Sequence, residues 1–335
     1  FFGFVLSATM PQTHDMIYAS APGNLFLFGE HAVVHGHPAI IAATSMRTYV
    51  DAHARPDDRI FVESRDFGEF NHSISELLEM NFETAADYKC PLDMLRDLVK
   101  TVLQLVNPSV GCELMIKSDI PRHSGGMSSS TAVMCAVLEA LRTIYCMDVP
   151  KEEFFEYLYP FQVKIHGGKA SGAEILSSSV GGFNEVRLDR SGGNVKLEKR
   201  SLAEGIALQL VVGNTGIEAA TKQTVPYVTQ GLNNAPEDYE EAFIQIDNLT
   251  VAGMAALQAG NFAEVGRLMN ANHEILARDL GVSHPKLNRL VDAARKAGAY
   301  GAKLSGGGKG GVMIALVNGR TRANVVAAIR AAGGE

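Results

Sequence analysis

The spacing of apolar residues changes period several times along the chain. Between residues 93 and 105, apolar side chains recur at steps of three and four, at Leu95, Leu98, Val102 and Leu105, which predicts a helix with one buried face. The same period predicts a helix over 131–147. Further helices are predicted over 151–164 with a break near Pro160, 239–257, 262–278 and 284–297, followed by a closing helix that ends at residue 332.

Shorter apolar runs separated by Gly and Pro predict strands. Residues 17–52 indicate an early antiparallel sheet, in which Pro22 and Gly23 interrupt the first strand. Strands are also predicted in "CELMIKSDIP", in "ALQLVVGNTG" and on both sides of the turn in "AKLSGGGKGGVMIALV". Because strands and helices mix without a regular β-α-β order, the pattern favours the α+β class. The Gly181–Gly182 pair suggests a boundary between an N-terminal domain, 16–182, and a C-terminal domain, 183–335.

Composition narrows the class of protein. The 335 residues are 46% apolar and 20% charged, which is typical of globular proteins. With a net charge of −7 and no basic block, nucleic acid and anionic membranes are poor partners. The apolar start "FFGFVLSATM" is too short to span a bilayer and has no basic lead-in, so we expect a strand or packed arm in a cytoplasmic protein. The four cysteines, expected to be buried thiols, are Cys90, Cys112, Cys135 and Cys146.

The segment "PRHSGGMSSSTA" combines two glycines with three serines just before a predicted helix. Gly125 and Gly126 let the backbone turn with its amides facing inward. The unpaired N–H groups and the dipole of the helix that follows attract an anion, and the hydroxyls could contact phosphate or its metal. A simple serine cap is the alternative, but one cap needs one serine. The segment therefore predicts a phosphate site, although it lacks both P-loop and G-x-G-x-x-G spacing.

Two further segments carry candidate chemistry. "KLSGGGKGGV" has five glycines among residues 306–311, which suggests that a ligand or another backbone approaches closely; a floppy loop is the alternative. "APGNLFLFGEHAVVHG" places Glu30 and His31 just after an apolar run. These residues could bind substrate hydroxyls or simply lie at a solvated strand end.

Together, and in this order, the three segments resemble the motifs of the GHMP kinase superfamily, and those of the mevalonate kinases in particular. "APGNLFLFGEHAVVHG" is similar to the first motif, "PRHSGGMSSSTA" to the second and "KLSGGGKGG" to the third. "HGGKASGAE" resembles the mevalonate kinase segment H-G-x-P-S-G-x-D with one extra residue. The resemblance extends from about residue 19 to 316.

The resemblance implies two α+β domains with the active site in the cleft between them, and transfer of phosphate from ATP, with Mg²⁺, to a hydroxyl of mevalonate. It implies that Glu30, His31, Ser171 and Gly172 hold the substrate, and that Ser129 or Ser130 ligates Mg²⁺. A homodimer is also common in the family. The residues implied in nucleotide binding are Gly125, Gly126, Met127, Ser128, Ser129, Ser130, Thr131, Gly306, Gly307 and Gly308.

Three positions depart from the family pattern. The lysine of the first motif is Asn24, the catalytic aspartate aligns with Glu174, and a glutamate that ligates Mg²⁺ aligns with Gln162. Glu174 keeps a carboxylate but moves its oxygens by roughly 1 Å. Asn24 lacks a positive charge, and Gln162 keeps an oxygen donor without the charge that Mg²⁺ prefers.

Lys169 and Lys309 are candidates to replace the missing charge, and solvent-facing lysines are the alternative. The departures leave three hypotheses open. The leading one is a mevalonate kinase. The second is a GHMP kinase with another acceptor, such as a mevalonate phosphate, a different hydroxyl of mevalonate or a sugar. The third is a nucleotide-binding protein with little transfer activity.

Overall fold

The computed structural model describes residues 15–121, 125–166, 170–189, 196–201, 206–219 and 221–335. The predicted N-terminal arm, residues 1–10, lies outside the described residues. Ten strands and ten α-helices occur in the described part of the chain. The strands are β1 (Ile17–Phe28), β2 (Ala39–Ala54), β3 (Arg59–Ser64), β4 (Gly68–Ser73), β5 (Cys112–Ser118), β6 (Phe183–Asp189), β7 (Lys196–Ser201), β8 (Gln209–Asn214), β9 (Gly301–Ser305) and β10 (Val312–Val317).

The helices alternate irregularly with these strands, in agreement with the α+β class. They are α1 (Ile74–Glu79), α2 (Pro91–Val106), α3 (Ser129–Ile144), α4 (Phe154–Ile165), α5 (Ala173–Val180), α6 (Thr221–Asn234), α7 (Pro236–Gln258), α8 (Phe262–Glu274), α9 (Pro285–Lys296) and α10 (Arg322–Ala331). A π-helical turn, Ile275–Asp279, extends α8. None of the described helices is both long and apolar enough to cross a bilayer.

The chain groups into two compact units. Unit 1 contains the described residues before Asn24 together with Thr44–Ile120 and Ser129–Gly181, and unit 2 contains Asn24–Ala43, Pro121–Ser128 and Gly182–Glu335. One crossing between the units falls between Gly181 and Gly182. The domain limits 16–182 and 183–335 stay a prediction.

Unit 1 is built on a mixed sheet. Strand β3 pairs with β4 in antiparallel and with β5 in parallel orientation, and β5 pairs with the second half of β2 in antiparallel orientation. Helix α3 is buried on more sides than predicted, because Met134, Leu138 and Ala140 are buried as well as Val137 and Leu141. Burial of apolar residues on most sides of a helix is typical of a helix packed in a core, and it holds α3 in place within unit 1.

Unit 2 contains an antiparallel three-stranded sheet in the order β8-β10-β9. Its register pairs Met313 with both Gly213 and Leu304. The strands and helices α7, α9 and α10 share one apolar core, which includes Phe243, Ile246, Leu276, Leu287, Leu290, Val291, Leu304, Met313, Val325 and Ile329. Burial of this area from water is the main force that holds the unit together, and it fixes the ends of β9 and β10.

Several local features differ from the predictions. Strand β1 runs without interruption through Pro22 and Gly23, and α4 continues through Pro160. In a strand, a proline is tolerated where its missing N–H has no partner in the sheet. Inside α4, Pro160 leaves one internal hydrogen bond unmade, and the helix continues despite this loss. Helix α5 was not predicted from its serine-rich sequence. Of the four cysteines predicted to be buried, Cys90 is exposed and Cys146 is half-buried.

Candidate active site

The glycine turn of the second motif (residues 125–128) lies backbone to backbone against the third glycine segment (residues 306–311), and both belong to unit 2. A Cβ on Gly126, whose φ is 109°, would lie 2.5 Å from the Ser305 carbonyl oxygen, and a Cβ on Gly306 would lie 2.8 Å from the Gly126 Cα. The N–H of Val312 donates to the carbonyl of Gly125 across 3.0 Å. Glycine is therefore required at these positions by close packing of the two backbones.

Asn24, in the second half of β1, is hydrogen-bonded to this turn. Its Oδ1 accepts a hydrogen bond from the Ser128 hydroxyl at 2.8 Å, and its backbone N–H donates to the Met127 carbonyl at 3.2 Å. Asn24 is fully buried, and Ser128 adopts the left-handed φ of 55°. A non-glycine residue in this region is strained by about 1–2 kcal/mol, so the Asn24 contact helps to hold the turn.

The hydroxyl residues Ser129, Ser130 and Thr131 form the first turn of α3. The first two are half-buried and Thr131 is buried. The first backbone N–H groups of a helix have no partner within it, and its dipole is positive at this end. The predicted phosphate-binding residues thus occupy a helix start with the chemistry that anions favour.

The third glycine segment is tightly packed. Gly306, Gly308, Gly310 and Gly311 have positive φ. A Cβ on Gly308 would lie 2.1 Å from the Val282 carbonyl oxygen, and one on Gly311 would lie 2.2 Å from that of Gly125. The segment is therefore not the floppy loop of the alternative interpretation, since neighbouring backbone approaches it closely.

A buried charge cluster lies beside this segment in unit 2. Lys303 on β9 is fully buried, and its ammonium donates to Oε1 of Glu30 and, at 2.7 Å, to the Leu304 carbonyl. Burial raises the pKa of Glu30 and lowers the pKa of Lys303, while the attraction between them opposes both shifts. The second carboxylate oxygen of Glu30 is buried without a partner among the described residues. Leaving such an atom unsatisfied costs about 1–3 kcal/mol, so this oxygen is suited to accept a hydrogen bond from a ligand hydroxyl.

His31 completes the cluster as a neutral imidazole. Its Nε2 lies 3.0 Å from the Gly307 carbonyl oxygen, which can only accept, so the N–H is assigned to Nε2. Burial is the main cause that lowers the pKa of His31 to about 4. Its φ of 62° is unusual for a non-glycine residue, and such strain is often found at functional sites.

Two features of this cluster were missed by sequence reasoning. Lys303 lies within "KLSGGGKGG" but was assigned no role, and Ser305 was not noticed. The Ser305 hydroxyl accepts from the Phe26 N–H at 3.1 Å and lies 3.3 Å from the Phe26 carbonyl, so it joins β9 to β1. A lysine within the short strand "GAKLS" could have indicated a buried ion pair. All five residues of this strand are buried, and buried lysines are rare unless they are paired.

Of the two candidate lysines, only Lys309 lies among the described residues. Lys309 lies with its ammonium 3.8 Å from the centroid of the Tyr227 ring, a cation–π contact. Its backbone N–H donates to the Val282 carbonyl at 2.7 Å. Lys169 lies outside the described residues. The charge on Lys309 is thus held at the third glycine segment by an aromatic ring.

Glu174 lies in unit 1, in the first turn of α5. Its Oε2 accepts hydrogen bonds from the Ser171 hydroxyl and the Gln162 amide, each at 3.2 Å. Gln162 Nε2 also lies 3.4 Å from the Thr131 hydroxyl. Helices α3, α4 and α5 therefore bring together Thr131, Gln162 and Glu174. Ser171, two residues before α5, lies beside Glu174.

Aromatic packing fixes the approach to α5. A Cβ on Gly172 would lie 2.2 Å from the Phe155 ring, and Phe155 stacks on Tyr159 with 4.8 Å between ring centroids. The Tyr159 hydroxyl donates to the Ala170 carbonyl at 3.2 Å. Glycine therefore suits position 172 for two reasons: the Phe155 ring leaves no room for a Cβ, and the φ is 72°. This packing fixes the start of α5, the helix that carries Glu174.

The donor set in unit 1 fits Mg²⁺ bound together with a nucleotide. Within the described ranges, no group of three or more His, Cys, Asp or Glu side chains could hold a metal by itself. Mg²⁺, however, often uses one or two protein oxygens, substrate phosphates and water. Gln162 is 1% exposed, and its Oε1 has no partner among the described residues. The Gln162 amide oxygen is therefore suitable as one ligand of a hard cation.

Comparison with known proteins agrees with these features. Residues 94–182 match the family model of the GHMP kinases N terminal domain, and residues 254–335 match that of the GHMP kinases C terminal. The mevalonate kinase of Pyrococcus abyssi is 34% identical over 329 residues, which cover 95% of this chain and 93% of the relative.

Solved structures extend the agreement to the fold. The Methanococcus jannaschii mevalonate kinase superposes with a TM-score of 0.80 at 24% identity, covering 97% of this chain and 98% of that one. The L. major mevalonate kinase in complex with R-mevalonate gives 0.77 at 26% identity, covering 97% and 94%. The chain belongs to the GHMP kinase superfamily, and the mevalonate kinases are its relatives over nearly its whole length.

Proposed function

We propose that this protein is a mevalonate kinase that transfers the γ-phosphoryl group of ATP to a hydroxyl of mevalonate. The observation that carries the proposal is the similarity to mevalonate kinases over 95% of the chain, with a carboxylate retained at position 174. The hydroxyl oxygen forms a bond to the γ-phosphorus, and the bond from that phosphorus to the bridging oxygen of ADP breaks. The hydroxyl proton passes to Glu174.

The chain's own residues mainly position groups and balance charge, as is usual in phosphoryl transfer. The helix start at 129–131 and the turn over 125–128 bind the ATP phosphates. Gly306 and Gly311 lie against this turn. The Glu30 carboxylate accepts a hydrogen bond from the acceptor. The neutral His31 contributes a second polar contact.

Mg²⁺ would be held by Ser129 or Ser130 and by Gln162 Oε1. When bound, it neutralises charge on the ATP phosphates. Lys309 would add positive charge near the third glycine segment, and Lys169 stays a candidate for the same role. The cytoplasmic location and a homodimer stay predictions.

The test is ATP consumption with Mg²⁺ and a panel of acceptors: R-mevalonate, a mevalonate phosphate and a hexose. The position of the new phosphate is then read by ³¹P spectroscopy. We expect turnover with R-mevalonate and phosphate on one hydroxyl. Turnover with another acceptor but not with R-mevalonate would show that mevalonate is not the substrate. ATP binding without turnover of any acceptor would favour a nucleotide-binding role without transfer.

A further inference from the structure

Gln162 lies where three helices of unit 1 meet. It projects from the last turn of α4 and contacts Thr131 on α3 and Glu174 on α5, at 3.4 Å and 3.2 Å from its Nε2. The side chain is 1% exposed. Its position is therefore set by the packing of the three helices and not by solvent.

The orientation of the amide follows from chemistry. An ionised carboxylate has only acceptor atoms, so the Gln162 atom that faces Glu174 Oε2 must be the NH₂ group. The opposite orientation would place two oxygens in contact. A glutamate at this position would have the same shape but could donate no hydrogen bond to Glu174 unless it were protonated.

Ser171 reaches the same carboxylate oxygen from a different direction. Its hydroxyl donates to Glu174 Oε2 at 3.2 Å, and its oxygen lies 3.3 Å from the Ala173 N–H at the start of α5. Two donors from separate segments restrict rotation of the glutamate side chain. This matters because Glu174 has one more rotatable bond than an aspartate and so loses more side-chain entropy when it is fixed.

We propose that Gln162 is a positioning residue for Glu174, holding the carboxylate through its amide N–H. The inference rests on the proposed function and deepens it, because it gives Gln162 a role separate from metal binding. The pair acts as a unit: the amide at 162 suits the longer carboxylate at 174, and a second carboxylate at 162 would repel it.

The central variant is Gln162→Glu, because it separates the two roles of the side chain. It removes the N–H donor but keeps, and charges, the oxygen that would face Mg²⁺. If Gln162 positions Glu174, kcat falls by about 10- to 100-fold, the range expected for a misplaced catalytic group. The affinity for Mg²⁺-ATP, measured by calorimetry without acceptor, stays the same or becomes tighter.

Gln162→Met removes both polar atoms at similar length. We expect a comparable loss of kcat with the KM for the acceptor within about threefold, since the acceptor contacts assigned to Glu30 and His31 remain. Ser177→Ala is the matched control, because Ser177 is a buried polar residue on α5 whose hydroxyl has no partner among the described residues. It should leave kcat unchanged.

A double-mutant cycle tests whether the two residues act together. Glu174→Asp should relieve the repulsion in Gln162→Glu, so the double variant should be at least about tenfold more active than the product of the two single effects predicts. Additive effects, or wild-type kcat in Gln162→Glu, would overturn the inference.

Thermal unfolding gives a readout that does not depend on turnover. The cycle of Gln162→Met, Glu174→Ala and the double variant should show a smaller loss of Tm in the double variant than the sum of the single losses. This coupling is expected even if no acceptor in the panel is phosphorylated, a result that would contradict only the proposed function. Additive Tm shifts would contradict the positioning role.

Discussion

At the scale of single residues, the most informative contacts join positions far apart in the sequence. Glu30 and His31 were singled out from their motif, but Lys303 lies 273 positions from Glu30, and no local pattern links them. The motif identifies which residues carry chemistry, because residue type is visible in the sequence. Which of them are paired depends on how β1 and β9 meet, and that is set by the core of unit 2.

The Glu30–Lys303 pair should be sensitive to loss of one partner. Lys303→Met leaves Glu30 buried without its counter-charge, which we expect to lower the free energy of unfolding by about 3–5 kcal/mol. The double variant Lys303→Met with Glu30→Gln removes the charge on both sides and should recover at least half of this loss. Urea unfolding measures both. Equal instability of the single and double variants would show that lost packing, and not the unpaired charge, is the cause.

Two buried histidines predict a dependence of stability on pH. Burial is the main cause that lowers the pKa of both His31 and His273 to about 4 from the usual 6.5. Between these values the unfolded chain binds protons that the folded chain does not, so folded-state stability is fully present above pH 6.5 and falls as the pH drops towards 4. Each histidine contributes up to about 3 kcal/mol of this change.

Urea unfolding at several pH values between 7.5 and 4 checks this expectation. His273→Gln should reduce the slope of stability against pH over that window relative to the wild type. His273 Nδ1 accepts a hydrogen bond from the Leu304 N–H at 3.3 Å, and the substitution changes this contact at every pH. The comparison with the wild type therefore uses the slope of stability against pH and not the absolute stability. An unchanged slope would contradict the role assigned to this histidine.

At the scale of elements, the sequence predicted long amphipathic helices well and irregular ones poorly. Helix α9 was expected from its period, and Leu287, Leu290 and Val291 are buried along one side as that period requires. Helix α6 was not expected, and it contains Pro226. Helix α5 has three consecutive serines. Tertiary packing outweighs weak local preference in such segments, which is why sequence period alone could not find them.

The contact between the glycine turn at 125–128 and the third glycine segment leads to a testable prediction. Gly126→Ala should destabilise unit 2 through left-handed strain of about 1–2 kcal/mol and overlap with Ser305 of about 1–3 kcal/mol. It should also weaken Mg²⁺-ATP binding, because the turn moves. Gly182→Ala is the matched control in the same unit, since Gly182 also has a positive φ of 73° but no atom within 4 Å of a Cβ.

The two glycine variants are compared by urea unfolding and by calorimetry of nucleotide binding. Gly182→Ala should lose only the stability that corresponds to left-handed backbone strain, and it should bind Mg²⁺-ATP with wild-type affinity. If both variants lose the same stability and both keep wild-type affinity, the close approach of the two segments has no bearing on the nucleotide site.

At the scale of the whole molecule, the three glycine-containing motifs were sufficient to identify the superfamily. The class of fold and the kinase family are confirmed by the family models and by the relatives. The division of the chain into compact units was harder to predict from the sequence. Two early segments, Asn24–Ala43 and Pro121–Ser128, belong to the same unit as the C-terminal half. Such grouping depends on contacts between distant segments, which composition and period do not reveal.

Phosphoryl transfer from ATP to R-mevalonate should be measured with the wild-type protein and with Gln162→Glu side by side. We predict turnover by the wild type, one phosphate ester by ³¹P spectroscopy, and a kcat about 10- to 100-fold lower in the variant with Mg²⁺-ATP affinity retained. No turnover of R-mevalonate by a wild-type protein that binds ATP would contradict the proposal that this protein is a mevalonate kinase.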